Sequence, residues 1–530
     1  MKTIKFLYIL PLALLISISC EQELIVLEPP VVVPPVTTGT PGTADFSKFI
    51  AVGNSFVAGV QGGALFTDGQ NNSLPAIMAE QFKITGVGGG AFVQPSIGAT
   101  LGWNLFITQP FLADNSKPIL GRMLLQGASP KPTPQAYAPG NLEALPNPAA
   151  NPGFLYQGGK ATLNNFGVPA IVLGQALIPQ TGAWSGAGTD PRFSPFYGRL
   201  QYPGGANTII GDAAAAGGSF FLFYLGLDDF FLYAAFGGDP TKAPLTPATG
   251  GLPNGFDGQY AAAVGSLLAS NANLKGVVGN FPNIFKMPHF TSVPYNPIPL
   301  DAATASNLTT NLATPYNGFL NAMVGASVIT AAERDQRLLS FAAGQNKVLL
   351  TDETLTDLTA AMNANGAGAL VPYARARQTT SSDILPLSTG SVLGTLVGGN
   401  ASLINGVTVP VGDQYVLIPT EIQAIEAARI SYNATVQTVV TANSARLALA
   451  DIDSALEGLI AARAGVYNNV TITPNINPPT GIYSEDGVHP NSRGYAFLSR
   501  VFISAINTKF TATIPLTDLS KYKATALPIP

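Results

Sequence analysis

The chain has 530 residues, a formal net charge of −4 and only 11% charged residues, against an average of about 25%. That balance excludes the basic face on which nucleic-acid binding depends, so no nucleic-acid partner is expected. Gly at 56 and Pro at 43 exceed average usage and predict long irregular connections.

Lys2 and Lys5 precede a mostly apolar run over residues 6–18, which ends in Ser17-Ile18-Ser19-Cys20. This is the layout of an export signal, 1–19, and the run is too short to span a bilayer. Cys20 is the only cysteine, and a lone cysteine in an exported chain calls for a special role. The segment resembles a bacterial lipoprotein signal, with Ser17 where leucine is usual. The resemblance implies lipidation of Cys20 and a place in the cell envelope, at the periplasmic or outer face of an outer membrane. The other reading is an ordinary secretory peptide with an incidental cysteine. Glu21-Gln22-Glu23 is similar to the export signal of surface lipoproteins. Residues 29–41 are rich in Pro, Val, Thr and Gly and read as an extended spacer. The tether is expected over 20–44 and the folded domain over 45–530.

The first core element is the apolar run Phe49-Ile50-Ala51-Val52, a buried strand broken at Gly53. Gly53-Asn54-Ser55 then places a hydroxyl at the strand's carboxyl end, the edge where open α/β sheets put their sites. Ser73 can cap a helix with Pro75 in its first turn and Leu74, Ile77, Met78 and Phe82 at helical spacing. Residues 128–159 read as a surface excursion. Residues 219–226 are a strand, and 276–280 are another. The wider apolar stretch 220–236 is excluded as a membrane span, because Asp228 and Asp229 at its centre cost about 2.5–3.5 kcal/mol each. Residues 240–260 and 301–412 read as insertions, the second partly helical, which shape specificity if they reach the sheet edge. Thr420 and Gln423 have capping-box spacing before a helix carrying Ile422, Ile425, Tyr432, Val436 and Val439. Leu447 to Ala450 reads as a strand. A last helix from Asn491 buries Tyr495, Leu498, Phe502 and Ile506. The pattern as a whole is α/β, a doubly wound, mainly parallel sheet flanked by helices.

Asp486-Gly487-Val488-His489-Pro490 contains one of only two histidines. An imidazole that takes a proton from a nucleophile on one nitrogen needs an acceptor on the other, and Asp486 stands one turn away. Ser55 is the candidate nucleophile. His289 has no carboxylate or second ligand beside it in sequence and reads as structural. No Cys/His cluster suggests a metal and no Gly-rich loop has the Lys and Ser/Thr of a phosphate site, so no cofactor is expected.

Gly53-Asn54-Ser55-Phe56 and Asp486-Gly487-Val488-His489 together resemble the first and last blocks of SGNH (GDSL-type) serine hydrolases, in that order and at the two ends of the chain. Asn165-Phe166-Gly167-Val168-Pro169-Ala170 resembles the second block, with Ala170 where a glycine is usual. Gly226-Leu227-Asp228-Asp229 resembles the third, Gly-x-Asn-Asp, with Asp228 where an asparagine donates. Tyr432-Asn433 fits the helix that commonly precedes the last block. The resemblance implies a flavodoxin-like sheet and an esterase acting on lipid or acetylated-carbohydrate acyl esters. Ser55, His489 and Asp486 would form the triad, and Ser55, Ala170 and position 228 the oxyanion hole. An ionised Asp228 accepts only and opposes an oxyanion. It must therefore be protonated, turned away, or the mark of a surface lipoprotein that keeps the fold to bind a glycan or a partner.

Overall fold

Four apolar runs and the short segment Asn165-Phe166-Gly167 become strands whose carboxyl ends line up on one edge of a sheet. The computed structural model describes residues 37–105, 120–127, 131–137, 154–202, 204–205 and 207–526. Cys20 and most of the expected tether lie outside them. Strands β1 (Phe49–Gly53), β2 (Asn165–Gly167), β3 (Phe220–Tyr224), β4 (Lys275–Gly279) and β5 (Leu447–Ala450) pair in parallel in the spatial order 2-1-3-4-5. β1 and β3 are buried at every position, as parallel strands covered on both faces must be.

Successive β3 side chains show the two helical layers, because neighbours in a strand point to opposite faces. The labelled helices are α1 (Ser55–Ala58), α2 (Leu74–Phe82), α3 (Asp228–Ala235), α4 (Phe256–Ser270), α5 (Pro288–Thr291), α6 (Pro419–Ala442) and α7 (Ser492–Phe510). Phe220 meets Phe510 at 5.7 Å and Tyr224 meets Phe502 at 5.9 Å, both on α7. Phe223 faces the other way, 5.3 Å from Tyr260 of α4. The molecule is thus an α/β fold with an all-parallel sheet between helices. The apolar stretch excluded as a membrane span divides into β3, a turn and α3. Among the described residues no helix is long and apolar enough to cross a membrane.

Ser73 caps α2 through Ala76 N–H at 3.4 Å, with Pro75 in the first turn. The capping box expected at Thr420 and Gln423 is not formed. α6 starts two residues earlier, capped at Ile418 and with its first residue at Pro419, whose fixed φ suits a first helical position. The Ile418 N–H donates to Glu421 Oε2 at 2.8 Å instead. Packing also begins before Asp45: Gly39 N–H donates to Thr85 O at 3.0 Å and Thr43 N–H to Phe510 O at 2.8 Å. The expected excursion 128–159 includes Lys131–Ala136, which pairs antiparallel with Leu120–Gln126. The expected insertion 240–260 overlaps α4, which already begins at Phe256. Between α5 and α6, residues 301–412 build apolar clusters of their own, one around Tyr316 and Leu320 and another around Val348 and Leu350.

Near that segment, Glu353, Asp413 and Glu421 bring carboxylate oxygens within 4.8 Å of one another. Burial, with repulsion from Glu353, Asp413 and Asp352, pushes Glu421 up to about 8. Burial, with repulsion from Glu353, Asp239 and Asp352, pushes Asp413 up to about 7. A carboxyl whose pKa is raised on folding destabilises increasingly as pH climbs from its unfolded value through its folded one. Glu421→Gln keeps the acceptor for Ile418 N–H and removes the charge. It should leave Tm unchanged near pH 4 and raise it progressively up to about pH 8, as thermal melts across that range would record.

Candidate active site

In the strand order 2-1-3-4-5 the chain changes direction across the sheet between β1 and β3, and a crevice opens at their carboxyl ends. β1 ends at Gly53, where an added Cβ would lie 2.3 Å from Tyr224 O and 2.4 Å from Val57 Cγ2. Only glycine lets the chain turn there between β3 and α1. Asn54 caps α1, its Oδ1 accepting from Phe56 N–H at 3.2 Å. Ser55 is then the first helical residue, a position whose N–H has no intrahelical acceptor. It is 2% exposed.

The second block holds this turn from the other side. Asn165 Nδ2 donates to Val57 O at 3.0 Å, satisfying a carbonyl of the short α1, and Asn165 Oδ1 accepts from Gly167 N–H at 2.9 Å. A Cβ at Gly167 would lie 2.4 Å from Ala58 N, so a glycine is required for β2 to end against α1. Ala170 has a left-handed φ of 52°, uncommon for a residue with a side chain. This conformation aims its N–H at the Ser55 hydroxyl: Ala170 N–H donates to Ser55 Oγ at 3.0 Å.

Asp228 begins α3 and is buried. Its Oδ2 accepts from Asn54 Nδ2 at 2.6 Å, so the carboxylate is engaged by the residue just before Ser55. Burial pushes Asp228 up to about 6, against the Asn54 hydrogen bond and the charge of His489. Asp229 works in the scaffold: Oδ2 accepts from Leu173 N–H at 2.8 Å and Oδ1 from Thr246 Oγ1 at 2.8 Å. It ties the segment after the second block to the start of α3.

His489 and Asp486 sit on the loop before α7, 3% and 1% exposed. His489 Nδ1 is 2.8 Å from Asp486 Oδ2. Asp486 Oδ1 accepts the Val488 and His489 amides, each at 2.8 Å, and Ser484 Oγ–H at 3.3 Å, while Oδ2 also takes Gly63 N–H. Burial works to raise the Asp486 pKa, but the His489 charge and these hydrogen bonds outweigh it and hold the carboxyl below its ordinary value. An ionised acceptor fixes the proton of neutral His489 on Nδ1 and leaves Nε2 free of it. Phe56, beside Ser55, packs against the His489 ring with centroids 5.6 Å apart, which brings the first and last blocks together.

The expected site residues Ser55, Ala170, Asp228, Asp486 and His489 therefore converge, while Cys20 lies outside the described residues. Gly63 and Ser484 act on Asp486 without any sequence signal. His289, expected to be structural, touches the loop carrying Asp486 and His489: its ring Nδ1 lies 3.1 Å from Asp486 O and its N–H donates to Gly487 O at 3.0 Å. No family model, curated protein or solved structure matches the chain.

The Asn54–Asp228 pair is testable apart from any activity. Asn54→Asp should set two carboxylates against each other and cost at least the charge-assisted bond, about 1.5–3 kcal/mol. The loss of Tm should be larger at pH 8 than at pH 5, because Asp228 is protonated below about 6. Adding Asp228→Asn should restore the melt, since it re-forms an amide–carboxylate pair with the residue types exchanged. A double variant no more stable than Asn54→Asp at pH 8 would show that the pair is not an independent unit.

Proposed function

We propose that the protein is an SGNH-type serine esterase. The observation that carries this reading is the hydrogen bond from Ala170 N–H to Ser55 Oγ, made by a residue held at positive φ, in a crevice that also receives His489 with its Asp486 acceptor. Ser55 Oγ attacks the ester carbonyl while His489 Nε2 takes its proton. Asp486 keeps the proton on Nδ1 and stabilises the imidazolium. The carbonyl oxygen becomes an oxyanion, to which the Ala170 and Ser55 amides donate. His489 then protonates the departing alcohol, and water, activated by the same nitrogen, releases the acid from the acyl-enzyme.

Asp228 favours a second reading, a binding protein that has kept the fold, because at neutral pH it is an acceptor where the third block usually donates. Loss of one oxyanion donor costs on the order of 10²–10³ in turnover, which slows a triad enzyme without abolishing it. A fluorophosphonate probe separates the readings. Wild type should be labelled, and both Ser55→Ala and His489→Ala should lose labelling and several orders of magnitude of esterase turnover with melts unchanged. Labelling that persists in Ser55→Ala, or equal hydrolysis by wild type and variants, would remove the enzyme assignment.

The same proposal includes a lipid anchor at Cys20, supported by the apolar run that ends there. A short apolar run does not anchor stably, whereas attached acyl chains do. Cys20→Ser should abolish incorporation of a fatty-acid analogue and move the protein out of the membrane fraction. Incorporation that survives the substitution would count against acylation at this position.

A further inference from the structure

A cavity of about 280 Å³ lies behind the catalytic loop, between Leu120–Gln126 and the chain's last described residues. Arg122, Lys521 and Lys523 line it, and none of the three forms an ion pair among the described residues. The Arg122 guanidinium carbon stands 4.5 Å from the centroid of the Phe66 ring. Stacking occupies the face of a guanidinium and leaves its edge donors directed sideways, the arrangement that takes a carboxylate or phosphate. Arg122 Nε is buried with no hydrogen-bond partner, and a buried donor left unmet is costly.

Two acids share the cavity, Asp68 and Glu485. Asp68 Oδ1 accepts from Asn72 Nδ2 at 3.3 Å. Burial pushes Glu485 up to about 7, with Asp486 adding to the rise and Arg122 opposing it, so Glu485 is largely neutral below that pH. The wall is fixed against the catalytic loop. Asn491 Nδ2 donates to Thr525 Oγ1 at 3.3 Å, and Arg493 N–H to Lys523 O at 3.0 Å. Ser492, at the positive end of the α7 dipole, lines the same cavity.

We propose that this cavity binds a small oxyanion, a carboxylate or a phosphate, on the edge of Arg122 with Lys521 and Lys523 at its rim. The anion is either free in solution or carried by the ester substrate; only the second source rests on the esterase reading.

The test titrates the full exported chain with inorganic phosphate and with succinate by calorimetry at low salt. Saturable binding is expected, weaker by about tenfold or more in Arg122→Ala and in the double variant Lys521→Ala/Lys523→Ala, and, for succinate, whose own charge changes little over the range, weaker at pH 8 than at pH 6 as Glu485 ionises. The lysines are exposed, so the double variant does not endanger the fold. Absence of saturable binding, or affinity unchanged in both variants, would overturn the proposal. Kinetics then identify the source. A KM raised about tenfold in the lysine variant for mono-p-nitrophenyl succinate, but not for p-nitrophenyl acetate, places the anion on the substrate. Equal KM changes for the two esters, with phosphate affinity lost, place it in solution. If neither ester is cleaved by wild type, the esterase reading fails while the binding result still decides the cavity.

Discussion

The site depends on the close approach of β1, β3 and α1 at Gly53. A parallel sheet has no reason to expose a hydroxyl at its edge unless a strand ends abruptly and the next turn is held tightly. Tyr224 O and the Val57 side chain occupy the space a Cβ would need at Gly53, and Asn54 N–H donates to that same Tyr224 O at 3.2 Å. The chain must therefore turn into α1 at a fixed point, and Ser55 is placed where the strand order opens the crevice. Gly167 repeats the constraint from β2. Two glycines at strand ends and one residue at positive φ, Ala170, thus put the Ser55 hydroxyl and an amide 3.0 Å apart.

Two buried aspartates face this crevice and shift in opposite directions, and their donors explain why. Burial alone raises a carboxyl pKa, and each hydrogen bond to the charged form lowers it. Against burial, Asp486 has the charge and ring hydrogen bond of His489 and the Val488 and His489 amides, which hold it below its ordinary value; the Gly63 amide and the Ser484 hydroxyl also donate to it. Asp228 has the Asn54 amide and rises to about 6. Pairs of acids pushed apart in this way are a mark of sites with divided roles. Asn54, just after β1, and Asp228 at the start of α3 are joined by a hydrogen bond of 2.6 Å, so a change at either position bears directly on the other.

Local patterns made four of the five strands, the Ser73 cap and the last helix legible, because each is written within a few neighbouring residues; β2, three residues beginning with asparagine, carries no such pattern. Apolar runs bounded by glycine gave β1 and β3, and the three-residue spacing of Asp486 and His489 gave the loop that carries them. The cap of α6 was misplaced because Thr420 and Gln423 satisfy a spacing rule while Pro419 fixes the true start. Contacts between distant segments were not legible at all. Gly63 lies 423 residues before Asp486, and nothing near either residue announces their bond. The packing of residues 39–44 against α7 and the Thr85 region was hidden for the same reason, behind a composition that reads as a spacer.

His289 shows how a residue without a chemical partner in sequence acquires one through the fold. A carbonyl cannot donate, so the hydrogen bond between His289 Nδ1 and Asp486 O requires the proton on Nδ1. Burial lowers the His289 pKa and favours the neutral ring. Gly487, at φ 73°, has no room for a Cβ, which would lie 2.7 Å from His289 N. The loop carrying Asp486 is therefore clamped between the Gly63 amide on one side and α5 on the other. α5 precedes the segment 301–412 in the chain, so the His289 contacts with the Asp486 and Gly487 carbonyls join the start of that segment to the loop carrying Asp486 and His489.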